Sequence, residues 1–324
     1  MKTLPATICL LLLALPLLLL PGTALASHGP AEHGALRVTD VNLTDSRGQL
    51  VVLHGMSTHG MQWFGQFANA GAFRDLAGRG ANLVRIAMYT DENGYITDPS
   101  VKNAVFAAMD AAIAEDMYVI LDWHILHDGS PLTYQEQAGA FFAEASQRYA
   151  GQPAVLYEIC NEPNGCSWDS DVKPYAEAII PIIRKNAPDA VIIVGTTCWS
   201  QEVDKAAADP LDFANIMYAC HFYAKTHGQW LRDRIDTARA QHLPIFVSEW
   251  GTSAADGNGG IDTEASEAWL QFMAERGLSW ANWSLCDKDE ASAALQTGAS
   301  VCGGWTENDL SPSGTFVFSH FGTD

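Results

Sequence analysis

Glu162 stands where an apolar run ends. In "VLYEICNEPN" (155–164), Val155, Leu156 and Ile159 suit a strand buried on both faces, and Pro163 with Asn164 stops it. Asn161 precedes the acid. Glu249 repeats the arrangement in "FVSEWG" (246–251). Two carboxylates carried by strand ends can divide one reaction between them. One protonates a leaving oxygen while the other attacks carbon or activates water, which is what cleavage of a glycosidic bond requires. A single acid at a strand end is as readily a salt-bridge partner. A pair with histidines and aromatics around it points to shared chemistry. Arg85 and Tyr89 in "NLVRIAMY", His124 in "MYVILDWH", His221 and Tyr223 in "NIMYACHFY" and Trp283 in "LSWANWSL" fall at comparable positions.

Those runs are the elements that must position the acids. Segments 49–56, 82–89, 117–124, 154–162, 190–196, 215–223, 244–250 and 278–285 are short, apolar and rich in β-branched or aromatic residues. That pattern suits parallel strands covered on both faces. Helical patterns lie between them. Asp98 is the expected N-cap of one, and Thr133 with Glu136 has the capping-box spacing for the next. Residues 311–321 are expected to supply the last helix. The prediction is one α/β domain, a (β/α)8 TIM barrel with a short N-terminal β-hairpin turning at Asp45–Gly48. A doubly wound sheet fits less well, because "VLHGMSTHGMQW" after the first strand is not a phosphate-binding loop. In a barrel the fourth and seventh strands lie about 135° apart, so Glu162 and Glu249 can face each other across the C-terminal mouth.

The chain has 324 residues and a formal charge of −20. So acidic a chain argues against nucleic acid or an anionic membrane as partner and suits a neutral polysaccharide. Residues 1–26 read as a secretory signal: Lys2, a short apolar stretch broken by Pro16, and "ALA" at 24–26. The catalytic domain then occupies 27–324. It is expected to be secreted, free of the membrane after signal cleavage, and monomeric. Of seven cysteines, Cys9 leaves with the signal. Six in an exported chain allow three disulfides. Cys286 and Cys302 in one loop are the expected bridge, Cys166 and Cys198 a second, with Cys160 and Cys220 free and buried. No metal-binding spacing such as CxxC or HExxH occurs, so no metal or cofactor is expected.

The motifs "HGMSTHGMQWFGQF", "RIAMYT", "YVILDWH", "YEICNEPNG", "VGTTCWSQ", "HFYAKTHG", "FVSEWGTS" and "SWANWSLCDKDE" resemble the family 5 glycoside hydrolases, above all their bacterial-type endo-β-1,4-glucanases. The resemblance runs from about residue 37 to 321. It implies a retaining double displacement at internal bonds of a β-1,4-glucan, with Glu162 as acid/base and Glu249 as nucleophile. It places Arg85, His124, Asn161, His221 and Tyr223 around the cleaved sugar. Trp63, Trp199 and Trp283 match stacking positions, and Lys288 and Glu290 match hydroxyl-binding ones. His59 and Tyr89 border the same expected cleft. Trp250 and Trp280 are assigned to packing, and Glu158 to a buried contact with Arg85 or with a backbone group. Cys160 departs from the small residue usual before Asn-Glu-Pro. Two other readings stand beside this one: an endo-hydrolase of mannan or xyloglucan, and a non-catalytic polysaccharide-binding barrel. Because the chain ends soon after "FVFSHF", soluble or amorphous glucan is the expected substrate.

Overall fold

Eight parallel strands close into a barrel in the computed structural model, which describes residues 28–322. The expected signal segment and Cys9 lie outside the described residues. The chain enters through an antiparallel pair, β1 (Arg37–Thr39) and β2 (Asn42–Thr44). The barrel follows: β3 (His54–Thr58), β4 (Leu83–Tyr89), β5 (Tyr118–His124), β6 (Val155–Glu158), β7 (Ile192–Val194), β8 (Ile216–Tyr223), β9 (Ile245–Gly251) and β10 (Trp280–Leu285). Each pairs with the next, and β10 returns to β3. A helix follows every barrel strand, from Ala70–Gly78 after β3 to Pro312–Phe318 after β10.

Two apolar layers hold this arrangement, and they explain the near-continuous apolar runs. Alternate residues such as Leu83, Tyr118, Ile120, Leu156, Ile193, Met217, Phe246 and Ala281 fill the barrel interior. Their neighbours, including Val84, Val119, Ile192 and Val247, pack outward against the helices. Leu36 and Leu43, from the hairpin region, join the interior cluster and close the barrel at the strands' N-terminal ends. The C-terminal ends are left for polar residues.

Local details differ from the sequence reading. The hairpin turns at Asp40–Val41, where Asp40 takes the left-handed conformation (φ 53°). The expected Asp45–Gly48 turn forms next, leading to an isolated Thr44–Leu50 bridge. Thr133 caps nothing: Pro131 opens a 3-10 turn first, Ser130 Oγ accepts from Leu132 N–H, and the α-helix begins at Gln135. Asp98 instead accepts from Ser100 N–H in the turn before helix Val101–Ala114. No disulfide forms among the described residues. Cys286 is buried beside the Ser284 hydroxyl, whereas Cys302 is exposed. Closeness in sequence does not set the direction of a Cβ, and a bridge needs both sulfurs to meet. Cys166 and Cys198 are likewise free, as are the buried Cys160 and Cys220.

Candidate active site

Arg85 organises the mouth of the barrel. It lies inside β4 with no exposed surface. Its Nε donates to Glu158 Oε2 (2.6 Å), its Nη1 to Ser57 Oγ (3.2 Å) and Glu249 Oε2 (3.1 Å), and its Nη2 to Asn161 Oδ1 (2.6 Å). Asp122 Oδ2 is 3.0 Å from Nη2. Burial alone would discourage the guanidinium charge, but Asp122, Glu158 and Glu249 overcome this and raise it above its ordinary range. Burial likewise favours a neutral Glu158, yet the adjacent Arg85 holds its carboxyl down at about 2. The expected Arg85–Glu158 contact is therefore present, and it sits beneath the site floor.

Glu249 is held by both oxygens: Tyr223 OH donates to Oε1 (2.8 Å) and Arg85 to Oε2. Its inward aim depends on a slip in register. Ala219 pairs with Phe246, but His221 pairs with Glu249, so β9 carries one extra residue there. Phe246 lies in the barrel interior, and strict alternation would send Ser248 inward and Glu249 outward. The extra residue brings both in, the usual effect of a bulge beside a site. Gly251 ends β9 opposite Tyr223. A Cβ there would meet Tyr223 Cδ1 at 2.4 Å, so the ring that donates to Glu249 needs glycine at this position.

Glu162 is reached differently. Strand β6 stops at Glu158, but the chain stays pinned between its neighbours: Ile159 N–H donates to Ile193 O, Asn161 N–H to Trp123 O and Glu162 N–H to Ile125 O. His221 Nδ1 lies 3.1 Å from Glu162 Oε1, which leaves Oε2 for a ligand. Burial pulls His221 down, yet the nearby carboxylate of Glu158, the hydrogen bond to Glu162 and the charge of Glu249 raise it to about 9. His124 is the opposite case: burial first, then the Arg85 charge, lowers it to about 3. Asn161 Nδ2 donates to Ile125 O (3.1 Å) and lies 3.2 Å from His124 Nε2, so the imidazole proton belongs on Nδ1, 2.6 Å from Asp122 Oδ2.

Above this floor lies a cleft of about 830 Å3. Glu162, Glu249, His59, Trp63, Tyr89, His124, Trp199, His221, Tyr223, Trp283, Lys288 and Glu290 all line it. Arg85 and Asn161 lie just beneath. One wall is a stack of rings: Tyr89 on His124 (centroids 4.1 Å apart) and His124 on Trp283 (5.3 Å). His59 joins it, kept neutral by burial and by the nearby Lys288, which lower it to about 3. Lys288 pairs with Glu290 at 2.6 Å. Trp250 and Trp280 pack in the core, as expected. Reading the sequence missed Phe64, Glu92, His127, Gln201, His227 and Asp256 on the walls, and Ser57 and Ser248 beneath. Most of these sit on loops, whose spatial neighbours no periodicity reveals. One donor from each of Glu162, His221 and Glu249 lies within 4.8 Å of the others.

The chain matches the family model described as cellulase (glycosyl hydrolase family 5) over residues 44–289. It is 52% identical over 292 residues to an endoglucanase of Clostridium saccharobutylicum, covering 89% of this chain and 65% of that protein. It is 55% identical over 273 residues to endoglucanase A of Evansella cellulosilytica, covering 83% of this chain and 56% of that one. The chain thus spans 56–65% of the length of these two relatives. Among solved structures, the catalytic domain of a Thermobifida fusca endoglucanase in complex with cellotetraose superposes with a TM-score of 0.86 at 39% identity, covering 90% of this chain and 98% of that one. By motif, fold and sequence identity the chain belongs to the cellulase family, glycosyl hydrolase family 5.

Proposed function

We propose that the protein is a retaining endo-β-1,4-glucanase. The observation that carries this reading is the pair of carboxylates, Glu162 and Glu249, with an oxygen of each within 4.8 Å of the other across the cleft floor. Retention needs carboxyl groups about 5–5.5 Å apart, whereas inversion leaves room for water at about 6.5–9.5 Å. Glu249, oriented by Arg85 and Tyr223, attacks the anomeric carbon. Glu162, oriented by His221, delivers a proton to the departing oxygen. A glycosyl ester on Glu249 results, and Glu162 then takes a proton from the water that hydrolyses it. Asn161, fixed by Arg85, is placed to bond a hydroxyl of the cleaved sugar.

The aromatic wall and the names of the relatives favour β-1,4-glucan, and an open cleft with tryptophans at its edges favours internal cleavage. The neutral sugar chain suits an acidic monomer with no affinity for nucleic acid or membrane. No described helix is long and apolar enough to cross a membrane. We infer export as well, with residues 1–26 removed by signal cleavage. N-terminal sequencing of exported protein should then begin at Ser27.

The deciding assay follows viscosity and new reducing ends together on carboxymethylcellulose, β-mannan and xyloglucan. A fast viscosity drop with few new ends on carboxymethylcellulose is expected. Strong activity on mannan with none on carboxymethylcellulose would overturn the substrate assignment.

A further inference from the structure

Three tryptophans stay exposed on the described surface: Trp63 (38%), Trp199 (48%) and Trp230 (48%). The first two line the cleft. Trp230 does not, and nothing above gives it a role. It lies in the first turn of helix Gln229–Arg239, three residues beyond His227, which does line the cleft. That helix follows β8, so its N-terminus opens on the same face as the site.

Trp230 is tied to the cleft by two contacts. Its ring meets His227 edge-on, with centroids 5.9 Å apart at 63°. Arg234, one helical turn on, sets its guanidinium 5.4 Å from the centre of the Trp230 ring. The same guanidinium donates through Nη1 to Gln201 O (3.0 Å) and pairs through Nε with Asp204 (3.1 Å). Gln201 lines the cleft two residues after Trp199. Trp230 is therefore attached to both loops that bound the cleft at its Trp199 end. A cation over a ring restrains the plane of the indole, and it occupies only one face.

We propose that Trp230 is a distal stacking platform, which takes one further pyranose of a β-1,4-glucan chain leaving the cleft over Trp199, Gln201 and His227. The inference rests on the reading of the site as a β-glucanase. The occupant follows from continuity: Trp230 touches His227 and shares Arg234 with Gln201, both of which line the cleft, so a glycan extending past that rim would meet its exposed indole. The apolar C–H face of a pyranose fits such a ring, and the oriented indole presents it at little entropic cost. Short substrates that end within the cleft do not reach it, so its contribution depends on chain length.

The test compares wild type, Trp230→Ala and Trp230→Phe on an aryl β-cellobioside and on cellohexaose. For Trp230→Ala, kcat/KM on cellohexaose is expected to fall roughly two- to tenfold, the scale of one aromatic contact, while the aryl cellobioside is unaffected. Trp230→Phe should recover most of the loss. An unchanged ratio of the two kcat/KM values in Trp230→Ala overturns the assignment, and so does an equal fall on both substrates with a lowered Tm. A wild type that cleaves neither substrate overturns the glucanase reading and this inference with it. A wild type that cleaves both separates the two questions.

Discussion

Ser248 Oγ lies 2.9 Å from His221 Nε2 and donates its own proton to Glu158 Oε1 at 2.6 Å. Because the hydroxyl proton is committed to Glu158, Oγ can only accept from His221, and Nε2 must carry hydrogen. The other ring nitrogen is then the one that meets Glu162. From Glu249 through Arg85, Glu158, Ser248 and His221 to Glu162, one hydrogen-bond chain joins the two carboxylates beneath the cleft. Ser248→Ala is expected to lower stability by about 1–2 kcal/mol, since it leaves buried partners unpaired. It should also reduce kcat on unactivated glucan by about tenfold while sparing aryl glycosides, because its effect reaches the reaction only through Glu162. Urea unfolding together with kinetics on both substrate types checks this. Equal loss on both would assign Ser248 a purely structural role.

The two glutamates should fail differently. Under the proposed mechanism, Glu249→Gln removes the attacking atom, so every substrate suffers, including those with good leaving groups. Glu162→Gln removes proton transfer alone, and an acidic aryl leaving group scarcely needs it. The expected signature is a burst of aryl alcohol followed by slow turnover, because hydrolysis of the glycosyl-enzyme still wants a base. NMR of the wild-type product should show retained anomeric configuration. Inversion, with no burst from Glu162→Gln, would instead make Glu249 a base that activates water.

The buried histidines should titrate in opposite directions. His221 is raised from 6.5 to about 9, through Glu158, Glu162 and Glu249 acting against burial. His124 and His59 are lowered to about 3. Nitrogen-15 NMR should find His221 doubly protonated at pH 7 and the other two neutral. For stability, the sign follows from His221 binding its proton more tightly folded than unfolded. Its contribution is complete below about pH 6.5 and is lost as pH rises through about 9. Thermal melts are expected to show Tm falling across that alkaline window. A flat Tm from pH 6.5 to 9, with His221 neutral at pH 7, would contradict the assignment.

The cysteines should behave as thiols. Burial pushes Cys220 up to about 12 and Cys286 up to about 11, so both should resist alkylation in the native state. Cys302 is exposed and should react first. Mass spectrometry after brief iodoacetamide treatment of the native, unreduced protein is expected to place the first label on Cys302. A linked Cys286–Cys302 peptide would restore the disulfide rejected above.

Much of this was legible in the residues themselves, for a physical reason. Parallel strands buried on both faces leave near-continuous apolar runs, and a barrel gathers all their C-terminal ends on one face. The eight strands, and the polar residues at the ends of several of them, such as Tyr89, His124 and Tyr223, could therefore be placed without coordinates, whereas Arg85 lies within β4. The tertiary structure decided what depends on register and on contact between distant segments. Period-two alternation puts Ser248, not Glu249, inside the barrel, and only pairing with β8 reveals the extra residue that brings both inward. Cys286 and Cys302 are close in sequence, but the packing turns one sulfur into the core and leaves the other exposed. Ser248 carries no chemical signature of its own; it acquires a role because Glu158, 90 residues earlier, and His221, 27 residues earlier, converge on its hydroxyl. Local sequence sets which face a side chain can take, and closure of the barrel sets what it meets there.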